Sequence, residues 1–480
     1  MTDALARLRE MQAADLPVHG GRTLAYVYDS GLADVDRVGR EAVAAYAGSN
    51  GLDPTVFPSL LRMENDLVGF AADLLDAPDT AVGSVTSGGT ESVLLAVQAA
   101  RDSRPDVDHP RMVLPVTAHA AFHKAAHYFG VEPVLVPVGP DFRAVPEAMA
   151  AALDDDLHRT VLAAVSAPSY AHGVVDPVTE VAAAAAERGI RCHVDACIGG
   201  WVLPYATRLG RTVPPWTFAV DGVTSISADL HKYGYAPKGT SVLLHRSPQL
   251  RAPQYFASAA WPGYTMINST FQSTKSGGPL AGAWAVVRSL GDAGYERLAA
   301  DTFEAVDRIV EGVRTVDGLD LLVAPDSTLV TLVTDETCDP FTVCDEMAGR
   351  GWYVQPQLSY GAERANIHLS VSAATLAHVD ELLAAFAESV SAAVAAGPVT
   401  VDPGVAAFIA ALDPTALTED DFDGLLVAAG LAGGDPAGEL ALPDRMAEVN
   451  AMLDLAAPEM REALLVAFLD RLQRPVRRPR

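Results

Sequence analysis

The residues best placed to do chemistry lie in a polar turn near the middle of the chain. A short apolar run over residues 222–227 is typical of a buried strand, and the turn that follows it carries His231 and Lys232. Two glycines and a proline over 234–239 prevent a regular continuation. A lysine fixed at a strand end can be desolvated, and a desolvated amine loses its proton and becomes a nucleophile. The turn therefore predicts Schiff-base chemistry at Lys232, with an ordinary surface lysine as the alternative.

A second candidate is the turn formed by Ser87, Gly88, Gly89 and Thr90, which runs into the apolar helical segment 93–100. Two glycines ahead of a helix let backbone N–H groups point outward, and the helix dipole favours an anion at the same place. The two hydroxyl groups add further donors. The turn predicts a phosphate site, although an N-cap preceded by a simple turn would contain the same residues.

A third candidate is His119, which follows the apolar run 111–117. An imidazole at the end of a strand can lie against a planar ring or donate a hydrogen bond to a ligand. His123 and His127 are spaced to share its helix face, which is a pattern that metal sites use. No acidic or cysteine ligand lies nearby in the sequence, so we expect no metal here.

The fourth candidate is Asp195, which ends the alternating run 190–195 and precedes two glycines by a few residues. A carboxylate buried at the end of a central strand needs a cationic partner, because an unpaired one is costly. A protonated pyridine nitrogen would serve, and so would a core arginine. A phosphate turn, a histidine beside a ring, an aspartate for a pyridine nitrogen and a lysine for an aldehyde together imply pyridoxal 5′-phosphate (PLP).

Parallel strands would bring these four features together, because their carboxyl ends meet at one edge of a sheet. Between about residues 80 and 250, short apolar runs alternate with helical patterns, which is the rhythm of a mostly parallel sheet. We therefore expect an α/β fold with a single large sheet. Its predicted strands cover 111–117, 160–166, 190–195, 222–228 and 240–245.

The rest of the chain predicts an arm, a smaller domain and a tail. The smaller domain is α+β, with strands near 319–323, 328–333 and 366–371 and helices over 340–350 and 376–395. The tail contains short amphipathic helices to which we assign no chemistry, so packing or oligomer contact is its expected role. The predicted division is an arm over 1–57, a large PLP-binding domain over 58–278, a small domain over 279–397, and a linker and helical tail over 398–480.

The composition limits the classes of function. The chain has 480 residues, 50% of them hydrophobic, and a formal charge of −27, which argues against nucleic acid as a partner. Its 4 cysteines include no closely spaced pair, which favours a reducing compartment. No run of eighteen apolar residues occurs, and the N-terminus has no apolar signal segment. We therefore expect a cytoplasmic protein without a membrane span.

The order and spacing of these motifs resemble a known group. The chain resembles the fold-type I PLP enzymes of the group II decarboxylase superfamily, and within it most closely the sphingosine-1-phosphate lyases. The two most specific segments are Thr86-Ser-Gly-Gly-Thr-Glu-Ser92 and Ser227-Ala-Asp-Leu-His-Lys232. Further matching segments are 25–29, 57–64, 117–126, 166–177 and 193–200, so that the resemblance covers about residues 20–395.

The resemblance implies a fold and a set of roles. The fold is a PLP-dependent transferase-like large domain with a smaller α+β domain, and the enzyme is a homodimer with shared active sites. Tyr28 and the turn Ser273-Thr274-Lys275 would come from the partner chain. The implied roles are the Schiff-base lysine for Lys232, the pyridine partner for Asp195, the stacked imidazole for His119, the phosphate site for Ser87, Gly88, Gly89, Thr90 and His231, ring-bordering residues for Ser166 and His172, and a second active-site lysine for Lys238.

The pattern departs from the lyases in one region, which bears on the substrate. The lyases carry a tyrosine that helps to hold the substrate phosphate where this chain has Met266, and Lys275 replaces the usual arginine. The implied reaction is cleavage of a carbon–carbon bond in a phosphorylated amino alcohol. An L-amino acid decarboxylase is the alternative, with Arg364 as a carboxylate-binding candidate or an exposed loop residue. A PLP-binding protein without turnover is a third reading, which the full set of matching residues disfavours.

Overall fold

The computed structural model describes residues 2–428 and 445–475. The described helices are α1 Thr2–Gln12, α2 Ala33–Ala45, α3 Pro58–Leu74, α4 Gly89–Asp102, α5 Ala121–Phe129, α6 Pro146–Asp155, α7 Val178–Glu187, α8 Leu203–Arg208, α9 Pro248–Arg251, α10 Gly277–Val313, α11 Pro340–Gly349, α12 Val379–Ala396, α13 Pro403–Ala411, α14 Glu419–Ala428, α15 Ala447–Leu455 and α16 Pro458–Leu472. The described strands are β1 Val82–Thr86, β2 Arg111–Pro115, β3 Glu132–Val136, β4 Thr160–Ser166, β5 Arg191–Asp195, β6 Val223–Ala228, β7 Ser241–His245, β8 Phe256–Ser258, β9 Met266–Asn268, β10 Leu319–Leu321, β11 Leu329–Thr334, β12 Gln355–Gln357 and β13 Asn366–Ser370.

The largest sheet has seven strands in the order β1-β7-β6-β5-β4-β2-β3. Strands β6, β5, β4, β2 and β3 pair in parallel, and β7 runs antiparallel to both of its neighbours. The predicted α/β class with a mostly parallel sheet is confirmed. Parallel strands need crossover connections, and α4 to α7 supply them.

The five predicted strands of this sheet are all present, with ends that differ by at most two residues. Strands β1 and β3 were not predicted. Strand β1 begins Val82-Gly-Ser and lacks a continuous apolar run, and β3 lies at the sheet edge with an exposed Glu132 followed by Pro133. Both therefore lack the signal of a buried strand, and edge strands tolerate proline where central strands do not.

Burial in the core explains why the central strands could be predicted from the sequence. Every residue of β2 and β4 is buried, as is every residue of β5 after Arg191. Helices cover such strands on both faces, so both faces of β2 and β4 carry apolar side chains, whereas one face of β5 carries the buried polar residues His193 and Asp195. The functional side chains consequently lie just beyond the strand ends, where the backbone leaves the core.

Contacts within the chain divide it into two units. The first contains Met1–Ile309, Val323–Thr331 and Ser370–Val379, and the second contains Val310–Leu322, Leu332–Leu369 and Asp380–Arg480. A four-stranded sheet has the order β10-β11-β13-β12, with antiparallel pairing of β10 to β11 and of β12 to β13. The strands and helices predicted for the α+β region are therefore present. The predicted four-part division of the chain stays a prediction.

The helices of the tail form their own small core within the second unit. Its buried side chains are Ile409, Phe422, Leu425, Leu426, Ala456, Met460 and Leu464. The carboxylate of Asp345 in α11 accepts the backbone N–H groups of Met446 and Ala447 at 2.8 and 2.9 Å and so caps the start of α15. Over 2–428 and 445–475, no helix is both long and apolar enough to cross a membrane.

Candidate active site

The register of the large sheet brings the predicted site residues to one edge. Ser166 at the end of β4 pairs with Asp195 at the end of β5, and Asp195 pairs with Ser227 in β6. Asp195 therefore lies between two neighbouring strand ends. The turn after β6 carries His231 and Lys232, and it leaves the sheet at the same edge.

A cavity of about 370 Å³ opens at this edge. Its lining includes nine residues that the sequence predicted for the site: Ser87, Gly88, Gly89, Thr90, His119, Ser166, Asp195, His231 and Lys232. They come from five separate segments of the chain. The prediction that separate strand ends contribute to one site agrees with this geometry.

The turn before α4 is built for close approach of a ligand. Gly88 has φ 154°, which L side chains rarely adopt. A Cβ on Gly89 would lie 2.7 Å from the Sγ atom of Cys197 and 2.8 Å from the Oδ2 atom of Asp229, so only glycine fits. The turn opens α4, whose first backbone N–H groups lack partners within the helix. The arrangement is suited to binding a phosphate.

Asp195 is buried and charged. Its Oδ1 atom accepts a hydrogen bond from the backbone N–H of Cys197 at 3.0 Å and another from the hydroxyl of Ser227 at 3.4 Å. Burial raises the pKa of Asp195, but the nearby imidazole of His119, the hydrogen bonds from Cys197 and the charge of Lys232 bring it below its usual value. No arginine pairs with it among the described residues, so the ion pair considered as an alternative is not formed there.

Two imidazoles line the cavity in neutral form. The Nδ1 atom of His119 accepts the backbone N–H of Ala121 at 3.1 Å, and its ring stands in the cavity opening. The Nδ1 atom of His231 accepts the N–H of Thr240 at 3.2 Å. Burial within the protein lowers the pKa of both rings. At neutral pH, His119 therefore offers a flat, uncharged surface for a ring.

Lys232 forms an ion pair that the sequence analysis missed. Its Nζ atom lies 3.0 Å from the Oδ2 atom of Asp229, whose side chain is only 1% exposed. Burial lowers the pKa of Lys232, but the carboxylate of Asp229 and other nearby groups raise it, and the net direction is upward. The expectation that desolvation would leave this amine neutral is wrong for the structure as it stands. The cause is a carboxylate three residues earlier in the same turn.

These residues fit PLP. The turn offers N–H donors for a phosphate, Asp195 is an ionised carboxylate for a pyridine nitrogen, and Lys232 is an amine for an aldehyde, all in one cavity. The buried Oδ1 atom of Asp229 has no hydrogen-bond partner among the residues that the structure describes, so it can accept one from a bound group. Donor, acceptor and nucleophile thus have the types that this cofactor requires.

Five predicted residues lie outside the cavity lining: Tyr28, His172, Lys238, Ser273 and Thr274. His172 is buried and its ring stacks on Phe142, with centroids 4.2 Å apart. Ser273 is partly buried and Thr274 is exposed. Lys238 lies beside the site: its Nζ atom donates to the carbonyl of Tyr26 at 2.8 Å, and burial followed by the charge of Lys232 lowers its pKa to about 8.

Tyr28 lies close to residues of the site within its own chain. Its ring is 5.0 Å from the ring of Tyr233, and its expected contribution to a partner's site stays a prediction. The amine of Lys238 lies over the same ring at 5.0 Å. Burial is the main cause that raises the pKa of Tyr28, and the nearby charge of Lys232 acts in the opposite direction. Tyr28 is therefore a neighbour of the site in its own chain.

Several cavity residues were not predicted: Glu91, Tyr170, Cys197 and Asp229. Asp229 carried a usable signal, because Asp229 and Lys232 stand three residues apart in a turn rich in polar groups. Cys197 lies two residues after Asp195, but a lone cysteine suggested no role by itself. Glu91 and Tyr170 each lie within a matching segment, but neither residue type suggested a role by itself.

Fold and site together define a fold-type I PLP-dependent enzyme. A family model described as "Pyridoxal-dependent decarboxylase conserved domain" matches residues 26–333, which is more than half of the chain. The chain therefore belongs to the pyridoxal-dependent decarboxylase family. A second family model, "Pyridoxal-dependent enzyme, C-terminal putative HTH domain", matches residues 403–471.

Known relatives fall into two groups by name. A sphingosine-1-phosphate lyase of Arabidopsis thaliana is 38% identical over 370 residues, which cover 75% of this chain and 66% of that protein. The structure of a sphingosine-1-phosphate lyase from Burkholderia pseudomallei is similar with a TM-score of 0.77 and 32% identity, covering 82% of this chain and 91% of that chain. A probable L-tyrosine/L-aspartate decarboxylase of Methanocella arvoryzae is 30% identical, covering 73% of this chain and 89% of that protein.

Proposed function

We propose that the protein is a PLP-dependent carbon–carbon lyase that acts on a phosphorylated amino alcohol, as the relatives named sphingosine-1-phosphate lyases do by their names. The observation that carries the proposal is that Lys232, Asp195, His119 and the turn 87–90 line one cavity. When bound, PLP supplies an electron sink that stabilises the carbanion left when a bond at the amine-bearing carbon breaks.

The protein side chains have separate tasks in this proposal. Asp195, held ionised by its hydrogen bonds, would keep a proton on the pyridine nitrogen and so keep the ring electron-poor. The neutral imidazole of His119 would lie against the ring. The turn at Gly88 and Gly89 would hold the phosphate with backbone N–H groups and so position the cofactor.

Lys232 and Asp229 handle the proton on the amine. Lys232 would hold the cofactor through its amine, and Asp229 at 3.0 Å stabilises the ammonium form of that amine when it is free. Covalent attachment of the cofactor requires the neutral amine, so a proton must leave Nζ first. We infer that the ion pair between Lys232 and Asp229 sets the pH range over which the amine loses this proton and can attach the cofactor.

The choice between lyase and decarboxylase rests on how the substrate is held. Enzymes that bind an α-carboxylate commonly do so with an arginine. Among the described residues that line the cavity there is no arginine, and Arg364 is an exposed residue of the second unit. These facts favour cleavage next to a carbinol carbon, where the carbinol proton is lost to give an aldehyde and the amine-bearing carbon gains a proton.

The decarboxylase stays as the second candidate because of two observations. Met266 stands where the lyases carry a phosphate-holding tyrosine, and the Methanocella relative is named as a decarboxylase. A panel of phosphorylated long-chain amino alcohols and L-amino acids, with assays for aldehyde and for CO₂, tests the two functions. Aldehyde release supports the lyase, and CO₂ release supports the decarboxylase. If the PLP-loaded protein releases neither product, the protein binds the cofactor without turnover.

Two further proposals concern assembly and location. We propose a homodimer in which Ser273 and Thr274 reach the partner's site, because neither lines the cavity of its own chain. We also propose a cytoplasmic location, supported by 4 cysteines that are all free and buried. Light scattering tests the first proposal, and fractionation of cells tests the second.

A further inference from the structure

Glu91 joins two parts of the site that are far apart in the sequence. It lies in the first turn of α4 and is only 8% exposed. Its Oε2 atom accepts the backbone N–H of Ser87 at 2.6 Å, and its Oε1 atom accepts the backbone N–H of Phe271 at 2.8 Å. One carboxylate therefore holds both the phosphate turn and the chain that follows β9.

Residues 265–272, which include β9, have other anchors, but these lie away from the phosphate turn. Strand β9 pairs with β8, and the ring of Phe271 lies 6.0 Å from the ring of Phe129. Ile267, Phe271 and Gln272 are nevertheless exposed. The side-chain amide of Gln254 donates to the carbonyl of Ser269 at 2.6 Å, and the amine of Lys275 donates to the carbonyl of Val85 at 3.0 Å. Glu91 is the contact that ties residues 265–272 to the ligand-facing turn itself.

The phosphate turn and the segment of residues 265–272 are connected through the backbone of Ser87. The N–H of Ser87 belongs to the turn that would hold the cofactor phosphate, so a bound phosphate and Glu91 fix the same short piece of backbone. When one of the two backbone pieces held by Glu91 is already ordered, ordering the other piece costs less conformational entropy. Met266, where the chain departs from the lyase pattern, lies in this segment.

We propose that Glu91 is a positioning residue that couples occupation of the phosphate turn to the order of residues 265–272. Cofactor binding orders the turn, and the turn orders the segment through the two hydrogen bonds of one carboxylate. Occupation of the turn by the cofactor thereby stabilises the position of the segment at which this chain differs from the lyases. The proposal depends on PLP binding but not on the choice between lyase and decarboxylase.

A double-mutant cycle on PLP affinity tests the coupling. Glu91→Gln keeps the shape of the side chain but places an NH₂ group against one of the two N–H donors. Phe271→Pro removes the N–H that Glu91 accepts, and Phe271→Ala is its matched control because it keeps that N–H. Glu147→Gln changes an exposed first-turn glutamate in α6 and serves as the second control. Fluorescence titration gives the PLP dissociation constant of each full-length apo-protein.

We expect Glu91→Gln and Phe271→Pro each to weaken PLP binding by about tenfold, the scale of one buried hydrogen bond to a charged group. The double variant should be no weaker than the weaker single variant, since both changes remove the same link. Both control variants should bind as the wild type does. Multiplication of the two effects, to about a hundredfold, would overturn the proposal.

Hydrogen–deuterium exchange measures the coupling between the turn and the segment without an activity assay. In the wild type, PLP should slow exchange in peptides covering both 84–90 and 265–272, whereas in Glu91→Gln it should slow exchange only in the first. Equal protection of 265–272 in both proteins would contradict the proposal. If Glu91→Gln does not fold, the comparison of Phe271→Pro with Phe271→Ala decides alone. Failure of the wild type to bind PLP would instead count against the proposed function.

Discussion

Replacement of Asp229 by asparagine should shift the pH dependence of cofactor attachment. In the ligand-free protein, the Nζ atom of Lys232 lies 3.0 Å from the Oδ2 atom of Asp229, and Asp229 is almost fully buried. At an effective dielectric constant of about 20, two unit charges at this distance attract by about 5–6 kcal/mol before desolvation is subtracted. If one third of that attraction survives, it exceeds the ~1.4 kcal/mol that corresponds to one pKa unit.

The sign of the shift follows from the state of the amine. The pKa of Lys232 is raised in the folded protein, because the charge of Asp229 outweighs burial, so the reactive neutral amine is scarce at neutral pH. Asp229→Asn removes the charge and leaves burial, which lowers the pKa of Lys232. The pH at which attachment reaches half its maximal rate should therefore fall by at least about one unit.

The assay is the rate at which cofactor-free protein gains visible absorbance after PLP is added, measured from about pH 7 to about pH 12 so that the range covers the raised pKa. Asp221→Asn, at an exposed position, is the control variant and should keep the wild-type profile. An unchanged profile in Asp229→Asn, or a shift to higher pH, would refute the assignment of Asp229 as the group that holds Lys232 protonated.

The same ion pair affects stability with a defined sign. Because the folded pKa of Lys232 is raised, its contribution is fully present below the unfolded pKa and is lost only as the pH rises through the folded pKa. Ligand-free wild type should therefore keep this contribution throughout the neutral range. Asp229→Asn should unfold more easily there, by up to about 3–5 kcal/mol if Lys232 stays charged and by less if it loses its proton.

Three further predictions follow from single contacts. Asp195→Asn should keep bound PLP but lower kcat by about a hundredfold or more, because the ring loses its ionic partner; wild-type kcat would contradict the role of Asp195. Gly89→Ala should weaken PLP binding sharply, because its Cβ would lie 2.7 Å from the Sγ atom of Cys197, whereas Gly69→Ala, with open space around it, should bind PLP normally. The segment 403–471, which has 13 acidic and 3 basic residues, should not shift duplex DNA in a gel despite its family description, and salt-sensitive binding would contradict this.

The last prediction has structural support as well as a charge count. The three arginines of that segment each lie near acidic side chains: Arg445 at 2.8 Å from Glu346, Arg461 at 3.6 Å from Asp454, and Arg471 at 3.5 Å from Asp423. Phosphate backbones are held by cations that can pair with them. Here the cations are already paired within the chain.

Much of the large sheet could be predicted because its strands are buried on both faces. The run 160–166 is almost wholly apolar up to Ser166, and the run 190–195 alternates apolar and polar residues up to Asp195. Strands β1 and β3 escaped prediction because a Gly-Ser pair and an exposed edge position erase the same signal. The local pattern of apolar residues indicates a strand where the strand is fully buried. It gives no clear signal where the strand is only partly buried.

The site was predictable in its membership but not in its electrostatics. Residue type and position at strand ends identified Lys232 and Asp195, since parallel strands bring such ends together. The protonation of Lys232 depends on the 3.0 Å contact with Asp229, which only the folded turn creates. The role of Glu91 likewise depends on Phe271, 180 residues later in the chain.

Borohydride reduction followed by peptide mapping tests the central claim most directly. The PLP-loaded protein is reduced, digested and analysed by mass spectrometry, with Lys232→Ala as the control. The account predicts that the pyridoxyl mass lies on the peptide containing Lys232 and is absent from the variant. A label on another lysine, such as Lys238, or no label on a protein that has gained the cofactor's absorbance, would contradict it.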